Sequence, residues 1–530
     1  MRDLEMPGRS SVMARNGMAA TSHPLSTLAA INVLRSGGNA LDAAVAACAV
    51  QGVVEPASTG IGGDCFALIS PDGSDRIIAF DGSGGAPRAA TAAWYTDHDI
   101  RAISRQSPHA VTVPGAVDAW ARLLKLHGTR SLGELLRPAI EYAREGYVVS
   151  PCVARDWAIE EPNLRADPEA ARIFLPGSRT PGAGTVHRQP ELADTLTVIA
   201  EHGSDAFYKG AITDDIVSTL QSKGGLHTRA DFAAAQGTVE QPIKTVFREH
   251  EIYECPPAGQ GVIALMILNI LSGFRAEGDP LCADRLHTEI EATRLAYSIR
   301  DAVLADPTQS DVPVDWLLSD ALATELRQRI DLRRALEGMP IFMPPEHKDT
   351  VQISVVDKNR MAVSFINSLF DHFGSCLVAP RSGVLLHSRG RSFALDPAHR
   401  NVIAPGKRPM HTIIPGIVAR NGRVRMSFGV VGGHYQAMGH AHFLAKVLDY
   451  GLDVQSAMDL PRVFPRLGSD EVEAEATLPA ATRGELERRG FRIVRPNWPI
   501  GGAQAVAIDW ENGVLTGASD HRKDGLALGY

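Results

Sequence analysis

At Thr350 the spacing of apolar residues changes from the period of a helix to that of a strand. No other feature constrains the fold as much. Between about residues 110 and 335 apolar residues recur at helical intervals, as in AVDAWARLLKLHG, SLGELLRPAIEYAREG and LHTEIEATRLAYSIRDAVLAD. The segment GMPIFMPPEHKD, residues 338–349, has adjacent prolines and no period, and reads as a loop or linker. Beyond it TVQISVV and RMAVSFI alternate with period two, joined by DKN, which is a hairpin signal. GVLLHS and TIIPGIVAR continue the sheet, and Asn421–Gly422 forms a tight turn into RVRMSFGVV. Gly432 and Gly433 open the helix HYQAMGHAHFLAKVLDYG, and the strands QAVAID and GVLTGAS close the chain.

The N-terminal part reads as helix, helix, turn, hairpin. Ser22 is placed to cap a helix whose first turn holds Pro24. Gly37 and Gly38 stop that helix, and Asn39 caps the next. The Gly-rich turn EPASTGIGGD then leads into CFALIS and RIIAF. Helices and strands therefore come in blocks rather than as βαβ units. The pattern predicts an α+β fold of two stacked antiparallel sheets with helical outer layers.

A chain of 530 residues, 44% hydrophobic, buries a large core. The formal charge is −8 and the basic residues are dispersed, so no nucleic-acid partner is expected. The longest apolar runs start at Ala40 and Gly261. Asp42 and Gln51 interrupt the first, and the second is too short to cross a bilayer, so both read as buried helices and no membrane partner is expected. The first twenty residues contain no apolar core of a secretory signal. Six scattered cysteines without paired spacing fit a reducing compartment, so the expected location is the cytoplasm.

Thr350 is the first chemical candidate. A threonine hydroxyl needs a base to act as a nucleophile. If the Asp349–Thr350 bond is cut, the freed α-amine, with a pKa of about 8, lies on the same residue and can take the proton. The structural alternative is that β-branched residues commonly start strands. GIGGD, residues 60–64, lacks the context of a nucleotide fingerprint and reads as a tight turn, with close backbone approach to a site left open. His434, His440 and His442 do not form a zinc pattern, because His440 and His442 leave a helix on different faces; no metal and no cofactor are expected. Two backbone N–H groups at Gly432 and Gly433, at a helix N-terminus, suit a developing oxyanion instead. Arg389 and Arg391, with Lys407 and Arg408, form a cationic cluster suited to a substrate carboxylate.

Taken together these segments resemble the gamma-glutamyltranspeptidase family of N-terminal-nucleophile hydrolases, over nearly the whole chain. The resemblance lies in GMAATSHPLSTLAAINVLRSGGNALDAAVAA, EPASTGIGGDCFAL, DTVQISVVDKN, FGSCLVAPRSGVLL, GKRP, the Gly pair before a helix, and ASDHRKDGLALGY. It implies a four-layer αββα sandwich and a proenzyme that cuts itself between Asp349 and Thr350. The products would be a large chain, residues 1–349, and a small chain, residues 350–530, which stay together as a heterodimer forming one domain. It further implies attack by Thr350 on a small amide, an acyl-enzyme, Gly432 and Gly433 as oxyanion donors, and Ser368 beside the nucleophile's amine.

The departures concern the head group of the substrate. Where family members that handle glutamyl groups place an arginine in a segment like NSRETAP, this chain has DGSGGAP, with Ser83 at the arginine's position. A family asparagine falls on Phe370, an aspartate on Ser392, and a serine pair on His411 and Thr412. Arg389, Arg391 or His411 are the candidates to compensate. The leading expectation is hydrolysis or transfer of the acyl group of a γ-glutamyl or related small acid-bearing amide. The alternatives are a cephalosporin-acylase-like or oxamate-hydrolase-like enzyme, an uncleaved binding or scaffold homologue, and, last, a metal hydrolase using the three histidines.

Overall fold

Two seven-stranded sheets carry the architecture of the computed structural model, which describes residues 8–338 and 350–530. The first sheet runs, in spatial order, Val12–Ala14, Val514–Ser519, Gly502–Asp509, Arg423–Val431, Gly416–Arg420, His250–Glu254 and Ile243–Phe247. The second runs Leu526–Gly529, Met18–Thr21, Val351–Val356, Ala362–Ser368, Asp64–Ser70, Ile78–Gly82 and Thr238–Glu240. Neighbours in both sheets are antiparallel.

Three apolar clusters define the layers. Between the sheets, Met18, Phe66, Leu68 and Ile366 pack against Tyr253, Ile417, Val424 and Val506. On the outer face of the second sheet, Ile353, Val355, Val363 and Phe365 pack under the helices Pro24–Arg35, Ala40–Val54 and Ala116–His127. On the outer face of the first, Met426, Phe428, Ala503 and Ala505 pack under Gly261–Leu271, Ala283–Val303 and Tyr435–Leu448. This is the expected αββα sandwich.

The helix Ala40–Val54 is buried along its whole length, which suits a helix apolar on every face. Asp42 is tolerated there because it closes a capping box with Asn39, at 2.9 Å in both directions, and accepts from the backbone of Thr129 and Arg130. The cap of the preceding helix is His23 rather than Ser22; its Nδ1 accepts from Leu25 N at 3.2 Å. Ser22 donates instead to Glu55 at 2.7 Å. Two other expectations are corrected. The largely helical middle contains three strands between Thr238 and Glu254, which reach both sheets. GVLLHS stays out of the main sheets, since Val384–Leu385 pairs with Val378–Ala379 in a small hairpin.

Candidate active site

Strand alternation puts Thr350 between the sheets. In Val351–Val356, Ile353 and Val355 face the helices, while Gln352 and Ser354 face the other sheet. Thr350 continues the second set. The hairpin pairs Val351 with Asn367, so the same register sets Thr350 opposite Ser368. Both are fully buried, their hydroxyl oxygens are 3.2 Å apart, and Gln436 Nε2 approaches Thr350 Oγ1 at 3.4 Å. Ser368 Oγ also accepts from Phe370 N at 3.0 Å. Asp349 lies outside the described residues.

The GIGGD turn does more than reverse the chain. A Cβ on Gly62 would fall 2.1 Å from Leu385 O, and one on Gly63 2.4 Å from Ser368 O, so only glycine lets these backbones approach. The turn delivers Asp64, which is fully buried. Asp64 Oδ1 accepts from Gly115 N at 3.1 Å and Gly84 N at 3.4 Å, and Oδ2 from His411 Nε2 at 3.1 Å. Arg389 Nε lies 3.8 Å from Oδ2 and His387 Nδ1 lies 3.9 Å from it. Burial pushes the Asp64 carboxyl up, but His387, the His411 hydrogen bond and Arg389 together pull it down to about 2.

Gly432 and Gly433 follow the strand Arg423–Val431 and precede the helix Tyr435–Leu448, with φ of 127° and 60°. Gln260 Nε2 donates to Gly433 O at 3.1 Å and to Thr412 O at 2.9 Å. Arg300, fully buried, donates to Gln260 Oε1 at 3.0 Å and contacts His434 Nδ1 at 3.0 Å, while Tyr297 OH donates to His434 O. A buried hydroxyl at a strand start, met at 3.4 Å by Gln436 from the helix that follows a braced glycine pair, is an arrangement suited to acyl transfer.

The remaining candidates separate into two groups. Arg389, His411, Thr412 and Phe370 converge: Arg389 Nη1 donates to Thr412 Oγ1 at 3.4 Å and its guanidinium lies 4.8 Å above the Phe370 ring. Arg391 turns to Asp371 at 2.6 Å, and Ser392 Oγ is buried without a hydrogen-bond partner. Ser83 donates to Asp81 at 2.5 Å. Lys407 is held by Ser310 and the Arg400 carbonyl, and Arg408 reaches Ser83 O and Gln236 O, so neither joins Arg389. The histidines also diverge: His440 meets Glu254 at 2.6 Å, His442 meets Glu289 at 2.7 Å, and His434 meets Arg300. Among the described residues there is no group of three or more His, Cys, Asp or Glu arranged to hold a metal ion. Sequence reading missed Asp64, His387, Gln260, Arg300 and Gln436. Only Asp64 carried a signal, an acidic residue after two glycines and directly before an apolar strand.

The family model for gamma-glutamyltranspeptidase matches residues 26–530. The chain belongs to this family. It is 36% identical over 98% of its length to the glutathione hydrolase-like YwrD proenzyme of Bacillus subtilis, 99% of which is covered. It is 34% identical over 98% of its length to the oxamate amidohydrolase proenzyme of Klebsiella pneumoniae, all of which is covered. Among solved structures it superposes on the cephalosporin acylase from Bacillus halodurans with a TM-score of 0.93 and 37% identity, over 100% of this chain and 99% of that one. These family members are amide-cleaving enzymes and proenzymes by name, and the chain shares their fold throughout.

Proposed function

We propose that the protein is an autoprocessing amidohydrolase or acyltransferase that works through Thr350. The observation that carries this reading is the Thr350 hydroxyl, fully buried and held between Ser368 Oγ and Gln436 Nε2. In the precursor, Thr350 Oγ attacks the Asp349 carbonyl and the resulting ester is hydrolysed, which frees the Thr350 amine. The mature pair, residues 1–349 and 350–530, stays associated as a heterodimer. In turnover the amine takes the hydroxyl proton as Oγ adds to the substrate carbonyl. The N–H groups at Gly432 and Gly433 receive the oxyanion. Collapse expels the leaving amine, which takes the proton back from the Thr350 ammonium. Water, or an acceptor amine, then releases the acyl group.

The substrate in this reading is a γ-glutamyl or related small acid-bearing amide. Relatives named as a glutathione hydrolase-like proenzyme and an oxamate amidohydrolase support both ends of that range. Ser83, held by Asp81, and Phe370, under Arg389, favour the non-glutamyl end, because neither offers a charged contact to an amino-acid head group. Six free cysteines support a cytoplasmic location. Intact mass measurement of purified protein tests the reading. Two chains broken between residues 349 and 350, with amide hydrolysis, are expected; in Thr350→Ala both should vanish. A single chain that turns over amide at full rate would overturn it.

A further inference from the structure

We infer that Arg389 anchors a carboxylate on the acyl group of the substrate, and that the acyl groups it selects carry no ammonium beside that carboxylate. The inference rests on the reading of Thr350 as nucleophile and specifies the pocket that reading leaves open.

Arg389 is fully buried, yet its donors are largely unused. Nη1 reaches Thr412 Oγ1 at 3.4 Å, while Nε and Nη2 have no hydrogen-bond partner. Unpaired buried guanidinium donors are costly and call for an explanation. The Nε–Nη2 edge is the fork that takes a carboxylate through two parallel hydrogen bonds. Asp64 cannot fill that role. It lies 3.8 Å from Nε, beyond hydrogen-bond range, and its oxygens already accept from Gly115 N, Gly84 N and His411 Nε2. It balances the charge from a distance and leaves the fork open.

The position fits an acyl pocket. The Phe370 ring supports the guanidinium plane at 4.8 Å, and Phe370 N donates to the same Ser368 oxygen that lies 3.2 Å from Thr350 Oγ1. On the other side, Thr412, which Arg389 touches, shares the Gln260 amide with Gly433. Arg389 is thus linked to the hydroxyl through Phe370 and Ser368, and to the glycine pair through Thr412 and Gln260. Arg391 is not an equivalent candidate, because Asp371 engages it at 2.6 Å.

The same accounting disfavours an adjacent ammonium. Asp64 Oδ1 accepts from Gly115 N and Gly84 N and its Oδ2 from His411 Nε2, while Asp371 Oδ2 accepts from Arg391 and from Ser388 Oγ at 2.7 Å. An ammonium beside the anchored carboxylate would face the Arg389 guanidinium and would have to compete with His411 and Arg391 for carboxylates they already engage. The class selected is therefore the monoamide of a simple dicarboxylic acid.

Three amides of one chain length isolate the two features. Glutaramate carries the carboxylate alone, glutamine adds the ammonium, and pentanamide lacks both; oxamate and succinamate vary the spacing. Ammonia release by the processed enzyme gives kcat/KM. The best of the three monoamides is expected to exceed its neutral counterpart by about 100-fold or more, and glutaramate to exceed glutamine. Arg389→Met should collapse the first ratio to within about tenfold, with partial return in Arg389→Lys. A retained ratio in Arg389→Met, a preference for the neutral amide, or glutamine as the better substrate would overturn the inference. A second measurement needs no turnover: the matching free dicarboxylate should raise the thermal midpoint of the wild-type protein where the monocarboxylate of equal length does not. Equal shifts would also overturn it. Failure of the nucleophile reading looks different, since the chain would stay uncut and release no ammonia while the dicarboxylate shift persisted.

Discussion

Arg300 donates to the Gln260 amide oxygen at 3.0 Å, and this contact fixes which way the amide points. With its oxygen held, Gln260 presents Nε2 to the carbonyls of both Gly433 and Thr412. The bracing joins the glycine turn to the Arg389 side of the site. Neither residue needs to touch the substrate for its loss to be felt.

Gln260→Ala should therefore lower kcat by about 10- to 100-fold with a smaller change in KM, because the glycine turn it braces is the proposed oxyanion site, and loosening such a site is felt mainly in the transition state. Gln260→Glu keeps an acceptor for Arg300 but loses the donor, so it should behave like the alanine variant. Steady-state kinetics on the processed enzyme decide the matter. A change confined to KM would show that the bracing serves ground-state binding instead.

Gly432 and Gly484 should respond to alanine with opposite signs. At Gly432, φ is 127° and an added Cβ would sit 2.8 Å from Gly501 Cα, so the turn must move. Gly432→Ala is expected to block processing or reduce kcat by about 10²- to 10³-fold. Gly484 lies inside the helix Ala480–Arg488 with nothing within 4 Å of its added Cβ. Gly484→Ala should raise stability by about 0.5–1 kcal/mol and leave kcat alone. Thermal midpoints and rates measured side by side give the comparison, and equal effects at the two sites would refute it.

The main hairpin was legible because its faces differ: Ile353 and Val355 meet helices, while Gln352 and Ser354 meet the other sheet. The strands Ile243–Phe247 and His250–Glu254 were not. Their turn uses Arg248 and Glu249 at φ of 48° and 64°, where a hairpin signal would be Asn or Gly, and Thr245 and the exposed Val246 break the apolar alternation. At the site, Thr350 was legible at the head of a strand and Ser368 through the family resemblance, and the hairpin register sets the two opposite each other. Asp64 did not, because His387, Arg389 and His411 come from more than 300 residues away and only the folded chain gathers them. Arg300 was hidden at shorter range, since nothing in its helix marks it until the fold sets Gln260 and His434 beside it.

Acid should destabilise the protein in two stages, with histidines first. Burial pulls His187 and His227 down to about 4, and His23 likewise against the pull of Asp524. In the unfolded chain these rings protonate near 6.5, so the unfolded state binds more protons as pH falls from 6.5 to 4, and stability drops through that window. Each ring accounts for about 3 kcal/mol, which is large beside a typical net stability. Asp64, held at about 2, keeps its contribution above the unfolded value near 4 and loses it only as pH falls through 2. His187 is packed against Trp157 at 4.8 Å between ring centres, and its Nε2 is buried without a partner. His187→Phe should therefore flatten the fall in thermal midpoint between pH 7 and 4.5. A midpoint indifferent to pH over that range would sink the argument.

Cutting the chain before Thr350 should not separate its parts. The first sheet takes Val12–Ala14, Ile243–Phe247 and His250–Glu254 from one side of the cut and four strands from the other. The second sheet is interleaved more closely: Val351–Val356 pairs with Met18–Thr21, Ala362–Ser368 pairs with Asp64–Ser70, and Leu526–Gly529 pairs with Met18–Thr21. Neither part owns a complete sheet, so each alone would expose strand edges and apolar faces that the other now covers. The expected result is one cooperative unfolding transition for the cut protein, with both chains retained through gel filtration. Residues 350–530 expressed alone should be insoluble or unfolded. Recovery of a folded, monomeric 350–530 fragment would show that the interleaving is dispensable.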